Sequence, residues 1–221
     1  MPGTAAGHDI ELVIEKFADG GESLPPSNGG EGGGDGKRPP KRRPSPRRYY
    51  TGVALGIVSV LMFFMALASA YLVRRGSPDW VPVHVPRLMW FNTAVLLVSS
   101  GTLEMARKRL GLLDVAGFRR LWAVTTLGGV VFLIGQVVAW RQLVREGIYL
   151  ASNPASSFFY IFTGAHAVHL IGGVGALLYV ACRNFERAKV TRVVAAEVAS
   201  YYWHFMDALW LFLLALLYLG K

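Results

Sequence analysis

Five long apolar runs separated by short polar connections organise most of the chain, at about 50–73, 88–106, 121–143, 157–181 and 196–219. Each approaches the roughly 20 apolar residues that a helix needs to cross a bilayer core, so the pattern predicts five transmembrane helices. Gly and Pro punctuate the gaps, as in Gly76-Ser77-Pro78 and Ser152-Asn153-Pro154. Residues 1–48 follow a different rule. Gly29-Gly30-Glu31-Gly32-Gly33-Gly34-Asp35-Gly36 runs into Lys37-Arg38-Pro39-Pro40-Lys41-Arg42-Arg43-Pro44. Such a segment has too little apolar surface to offset ordering, and disorder is expected. No apolar run of suitable length precedes residue 50, so the first run is expected to remain as an uncleaved span. The fold class is all-α: a polytopic membrane bundle over 49–221 behind a disordered Gly/Pro/basic tail over 1–48.

Composition supports the membrane reading. Only 17% of residues are charged and 53% are apolar, against about 25% charged in a soluble domain. The mean hydropathy is +0.38. A net charge of +9 would fit a nucleic-acid binder were it gathered on one surface. Here it falls in short runs between apolar stretches, which fits a membrane surface and no nucleic acid. Of the 23 basic residues, 17 lie in the tail and the second and fourth connections, and 6 on the opposite side. The positive-inside rule therefore predicts a cytoplasmic amino terminus and an external carboxyl terminus. The single Cys182 excludes an internal disulfide and a thiol-based zinc site, and is expected as a small filler at a helix end.

Ionisable side chains at membrane depth are costly and mark candidate sites. In the fifth run, Glu197, Ser200, His204 and Asp207 fall within about an 80° arc at helical spacing, flanked by Trp203 and Trp210. One reading is an interhelical polar clamp, with Thr163 and His169 of the fourth run reciprocating. A lipid-headgroup site or a proton-linked role is the other. His166 and His169 have the i, i+3 spacing of a metal pair, but no third ligand, Cys or Met accompanies them, so no metal is expected in this chain. Gly164, Gly172, Gly173 and Gly175 are expected to allow close helix approach. The third run repeats this more weakly with Thr125, Gly128, Gly129 and Gln136, the last expected to bond across helices. Arg183, Arg187 and Arg192, next to the fifth run, predict contact with an anionic phospholipid headgroup. Glu104 beside Arg107 reads as a surface ion pair, and His84 as an ordinary loop histidine. No phosphate loop and no hydrolase triad order is present.

Two blocks resemble a known family. Phe158-Phe159-Tyr160 with Thr163-Gly164-Ala165-His166-Ala167-Val168-His169 and Gly172-Gly173 is similar to one signature of haem-copper oxidase (cytochrome c oxidase) subunit III. Glu197 with Tyr202-Trp203-His204-Phe205-Met206-Asp207 and Trp210 resembles the other. Trp80, Pro82, Pro86 and Asn92 resemble the approach to the family's next helix, and Gly135-Gln136 through Trp140 the one after. The resemblance covers about 49–221 and implies the shorter, five-helix bacterial form. It implies a multi-pass subunit of the bacterial inner membrane, beside oxidase subunits I and II, in a complex that reduces oxygen and pumps protons. Haem and copper are then expected in the partner subunits and none in this chain. Its own part is implied to be complex stability, support of proton uptake and retention of membrane phospholipids. One departure stands out: aligning Met62-Phe63-Phe64 puts Val60 where the family usually has a carboxylate, so no role of that carboxylate carries over. An accessory subunit of a nitric-oxide reductase would share these motifs. A small multi-pass transporter, from a different class, would need a polar path at mid-depth.

Overall fold

Polar or conformationally special residues cap the helices at or beyond the ends of their apolar runs. The computed structural model describes residues 46–83, 86–182 and 189–219, and of these the side chains of 46–48 and 189–192 are not described. Residues 1–45 of the expected tail, His84, Arg183, Arg187 and the side chain of Arg192 therefore lie outside the described residues, whereas 46–48, expected within the disordered tail, are helical and begin the first helix. Five helices follow in order: α1 Pro46–Arg74, α2 Leu88–Gly111, α3 Val115–Arg145, α4 Pro154–Cys182 and α5 Lys189–Leu219. Among the described residues there is no strand.

α1 opens on Pro46, whose fixed φ and missing N–H suit a first helical turn. Asp114 caps α3 by accepting the Gly117 N–H at 2.9 Å. Asn153 caps α4: its Oδ1 accepts the Ser156 N–H at 2.8 Å, while Ser156 Oγ accepts the Asn153 N–H at 3.1 Å. The result is a reciprocal box around Pro154. α3 ends in a Schellman motif: Ile148 N–H reaches Leu143 O at 2.9 Å and Gly147 N–H reaches Val144 O at 3.1 Å. That turn needs a positive φ, and Gly147 supplies it at 78°.

Four of the helices are long and apolar enough to cross a membrane, namely α1, α3, α4 and α5. α2 falls short of that standard because Asn92, Thr93, Ser99 and Thr102 dilute its apolar run. All four of these side chains are buried. They point at neighbouring helices, while Ser100 and Glu104, which lower its hydropathy further, are only half-buried.

α2 and α3 form the most intimate pair. α4 packs on α3, and α5 packs on α2 and α4. α1 packs on α5 and, more lightly, on α4, and its backbone approaches neither α2 nor α3. Phe64, Leu96, Phe132, Phe162, Trp203 and Trp210, all at most 1% exposed, form the centre of the core. The glycines that let helices close are not those of α4 that the sequence singles out. A Cβ on Gly164, Gly172 or Gly175 would meet nothing within 4 Å, and in that group only Gly173 is in contact, against Tyr202. The tight positions are on α3. Gly128 faces Ser99, Gly135 faces Asn92, and Gly129 lies beneath the Trp203 ring with Val174 beside it. Cys182 is an exposed residue at the end of α4 and fills no gap.

Candidate functional site

Four indoles tie the bundle, and three of the ties share one construction. Thr93, Ser99 and Thr163 each turn their hydroxyl back onto a carbonyl of their own helix: Met89 O at 2.8 Å, Leu96 O at 2.7 Å and Phe159 O at 2.8 Å. That leaves a lone pair facing outward. Trp210, Trp203 and Trp140 donate to these oxygens at 3.0, 3.2 and 3.0 Å respectively. Trp122 donates directly to Leu177 O at 2.9 Å. The first two ties join α5 to α2, and the other two join α3 to α4. Thr102 and Thr125 add a hydroxyl pair at 2.8 Å between α2 and α3.

The polar arc of α5 does not close on α4 as expected. It closes on α1 and α2. Tyr50 of α1 donates to Glu197, and the Arg107 guanidinium of α2 lies 3.9 Å from the same carboxylate. Arg107 also pairs with Glu104 at 3.1 Å, as the sequence predicts, and stands 5.7 Å from the Tyr201 ring centre. His204 Nδ1 and Ser100 Oγ share a hydrogen bond at 2.5 Å, with His204 Nε2 4.0 Å from Glu104. The physical reason is the antiparallel run of α2 beside α5: Ser100, Glu104 and Arg107 recur at i, i+4 and i+7 on the facing stripe.

The remaining predicted residues part company. Asp207 is 5% exposed and neither oxygen has a hydrogen-bond partner among the described residues, although Ser100 is its neighbour. Thr163 serves Trp140. His169 bonds Ala165 O at 2.7 Å and packs against Phe63 and Phe64. Tyr202, expected at the acyl–headgroup boundary or in a helix cleft, donates to His169 O at 3.0 Å and joins α5 to α4. His166 is fully buried between Phe132 and Trp210. The two histidines thus face different surroundings, and no group of three His, Cys, Asp or Glu side chains among the described residues is placed to hold a metal. Gln136 is buried, and its amide has no hydrogen-bond partner among the described residues, contrary to the interhelical bond expected of it. Val60 is partly buried against the core. The polar partners on α2, Ser99, Ser100 and Thr93, carry no motif, and only their helical spacing within an apolar run marks them.

These features define a polytopic helical membrane protein in which hydroxyls and indoles tie neighbouring helices together. Residues 46–220 match the family described as Cytochrome c oxidase subunit III, and the chain belongs to that family. It is similar to the probable cytochrome c oxidase subunit 3 of Nocardia farcinica, 36% identical over 179 residues, covering 78% of this chain and 88% of the relative. It is also similar to the cytochrome c oxidase subunit 3 of Corynebacterium diphtheriae, 33% identical over 183 residues with the same shares. A more distant relative is that of Synechocystis sp., 31% identical over 175 residues and covering 76% and 74%.

Proposed function

We propose that the chain acts as the non-redox subunit III of a bacterial haem-copper terminal oxidase, with the haems and copper held by subunits I and II. Its contribution is to keep the complex intact during turnover, to support proton uptake and to retain phospholipid. The observation that carries this reading is the family match across the whole bundle, 46–220. The relatives bear the name of an oxidase subunit, which favours the oxidase over a nitric-oxide reductase. The tied, closely packed helices favour a subunit over a transporter. In this reading α2 crosses the membrane with the other four helices, with Asn92, Thr93, Ser99 and Thr102 turned inward. The end carrying Tyr50, Arg107 and Glu197 is cytoplasmic, and Arg183, Arg187 and Arg192 meet an anionic headgroup there.

The test is Glu197→Ala in the complete oxidase, which cuts the contact shared by α1, α2 and α5. The variant is expected to start at a near-normal rate and then to inactivate early under sustained turnover. A fully assembled variant with normal haem spectra that is inactive from its first turnover would overturn the accessory role. A variant as durable as the parent would remove Glu197 from it.

A further inference from the structure

Most of the surface that meets the bilayer is apolar. Leu127 and Ile134 on α3, and Val168, Ile171 and Leu178 on α4, are all about half exposed or more. The surface between α1 and α2 is different. Both helices pack on α5 but not on each other, so they flank a furrow whose floor is the outward stripe of α5. Tyr201, His204, Ala208 and Leu211 form that floor, and Leu97, Ser100 and Glu104 line the α2 wall. The His204 side chain is 37% exposed and that of Glu104 44%. His204 sits well inside the Val193–Leu219 span. Polar groups at that depth face protein or water and seldom lipid.

We propose that this furrow seats a transmembrane helix of a core oxidase subunit, which brings a basic or other donor side chain to the depth of Glu104 and His204. The inference rests on the subunit III reading and names the docking face within it. Charge sets the chemistry of the occupant. Glu104 and Glu197 share one guanidinium, that of Arg107, at 3.1 and 3.9 Å. Both carboxylates remain partly exposed, so their oxygens present acceptors toward the furrow. A positive or donor-rich side chain complements them. The exposed Ala208 and Ala215 on the same stripe leave room for a helix to lie close to the α5 backbone.

The experiment uses the complete oxidase in its own membrane. A photoreactive benzoylphenylalanine replaces Tyr201 or Leu97 in the furrow, and Ile134 or Val168 on the opposite faces. The furrow positions are expected to cross-link to a core subunit and the other two to lipid. Lipid adducts alone from Tyr201 and Leu97, with core-subunit adducts from Ile134 or Val168, would overturn the placement. Glu104→Gln, near-isosteric and on the surface, is expected to lower the subunit retained through detergent purification by about tenfold. Unchanged retention would overturn the charge complement. A parent chain that fails to copurify with the oxidase at all would remove the functional reading, and this docking face with it. A chain that copurifies but cross-links only from α3 or α4 removes the docking face alone.

Discussion

A single glycine decides how deep Trp203 can sink. A Cβ at Gly129 would lie 2.5 Å from Cη2 of that ring and 2.9 Å from Val174, inside any tolerable separation. Both neighbours are buried, Trp203 completely, so neither can swing aside. Gly129→Ala should therefore destabilise the bundle by about 1–3 kcal/mol, the usual range for overpacking, and weaken the Trp203–Ser99 bond. Gly164→Ala, which meets nothing within 4 Å, should leave thermal unfolding of the purified protein unchanged or slightly raised, because alanine is the better helix former. Equal effects of the two substitutions would refute the packing assignment. Gln136 gives the opposite case. Its amide is 1% exposed and unpartnered among the described residues, and leaving a buried donor or acceptor unpaired costs about 1–3 kcal/mol. Gln136→Leu should then be neutral or stabilising in the same measurement, and a marked loss would show that the amide does bond a partner. Residue types show that Gln136 and the glycines are unusual in apolar helices. They do not show which is satisfied or which is crowded, because that depends on the rotation of two helices about their axes.

At the scale of elements, the helices outrun the apolar runs that predict them. The third run begins at about 121, whereas α3 begins at Val115. Hydropathy registers only the hydrocarbon stretch, while the helix continues into the polar interface until a cap ends it. The stop signals were legible where they carry a fixed geometry. Gly76-Ser77-Pro78 falls just past the end of α1 and Asn153-Pro154 at the start of α4, whereas Gly147, which ends α3, was not singled out. Asp114 also makes its cap sensitive to pH. The Gly117 N–H first, and Arg109 at 3.0 Å second, hold its carboxyl below the usual aspartate value. A depressed folded-state value stabilises the fold fully above the unfolded-state value. That stabilisation is lost as the pH falls from the ordinary aspartate range through the folded value. Protection factors of the amides in the first turn of α3, corrected for the intrinsic exchange rate at each pH, should therefore fall with acidification through that window. Asp114→Asn keeps an acceptor at the cap without a titrating group, and should flatten the dependence. A parallel pH response in parent and variant would assign it to another group.

For the whole molecule, the five helices of the described residues, their order and the family were legible because long apolar runs and two spaced motifs survive in one dimension. The contact between the α5 arc and α1 and α2 was not. It requires knowing which helices are neighbours, and α4 is nearer in sequence to α5 than either of its true partners. Orientation is the remaining global property, and the chain carries its own probe for it. Cys182 is its sole cysteine and an exposed residue at the carboxyl end of α4. The helices alternate in direction, and the end of α4 lies with the basic connection that contains Arg183 and Arg187. In the proposed orientation, which rests on 17 basic residues against 6, that end is cytoplasmic. An impermeant thiol reagent should therefore label Cys182 only after the membrane is opened. Ala151 is exposed in the connection between α3 and α4, on the opposite side. In a Cys182→Ala background, Ala151→Cys should be labelled in intact cells. The reverse pattern would invert the topology and move the furrow's carboxylates to the outer half of the membrane. Labelling of both positions in intact cells would mean that α4 does not span the bilayer.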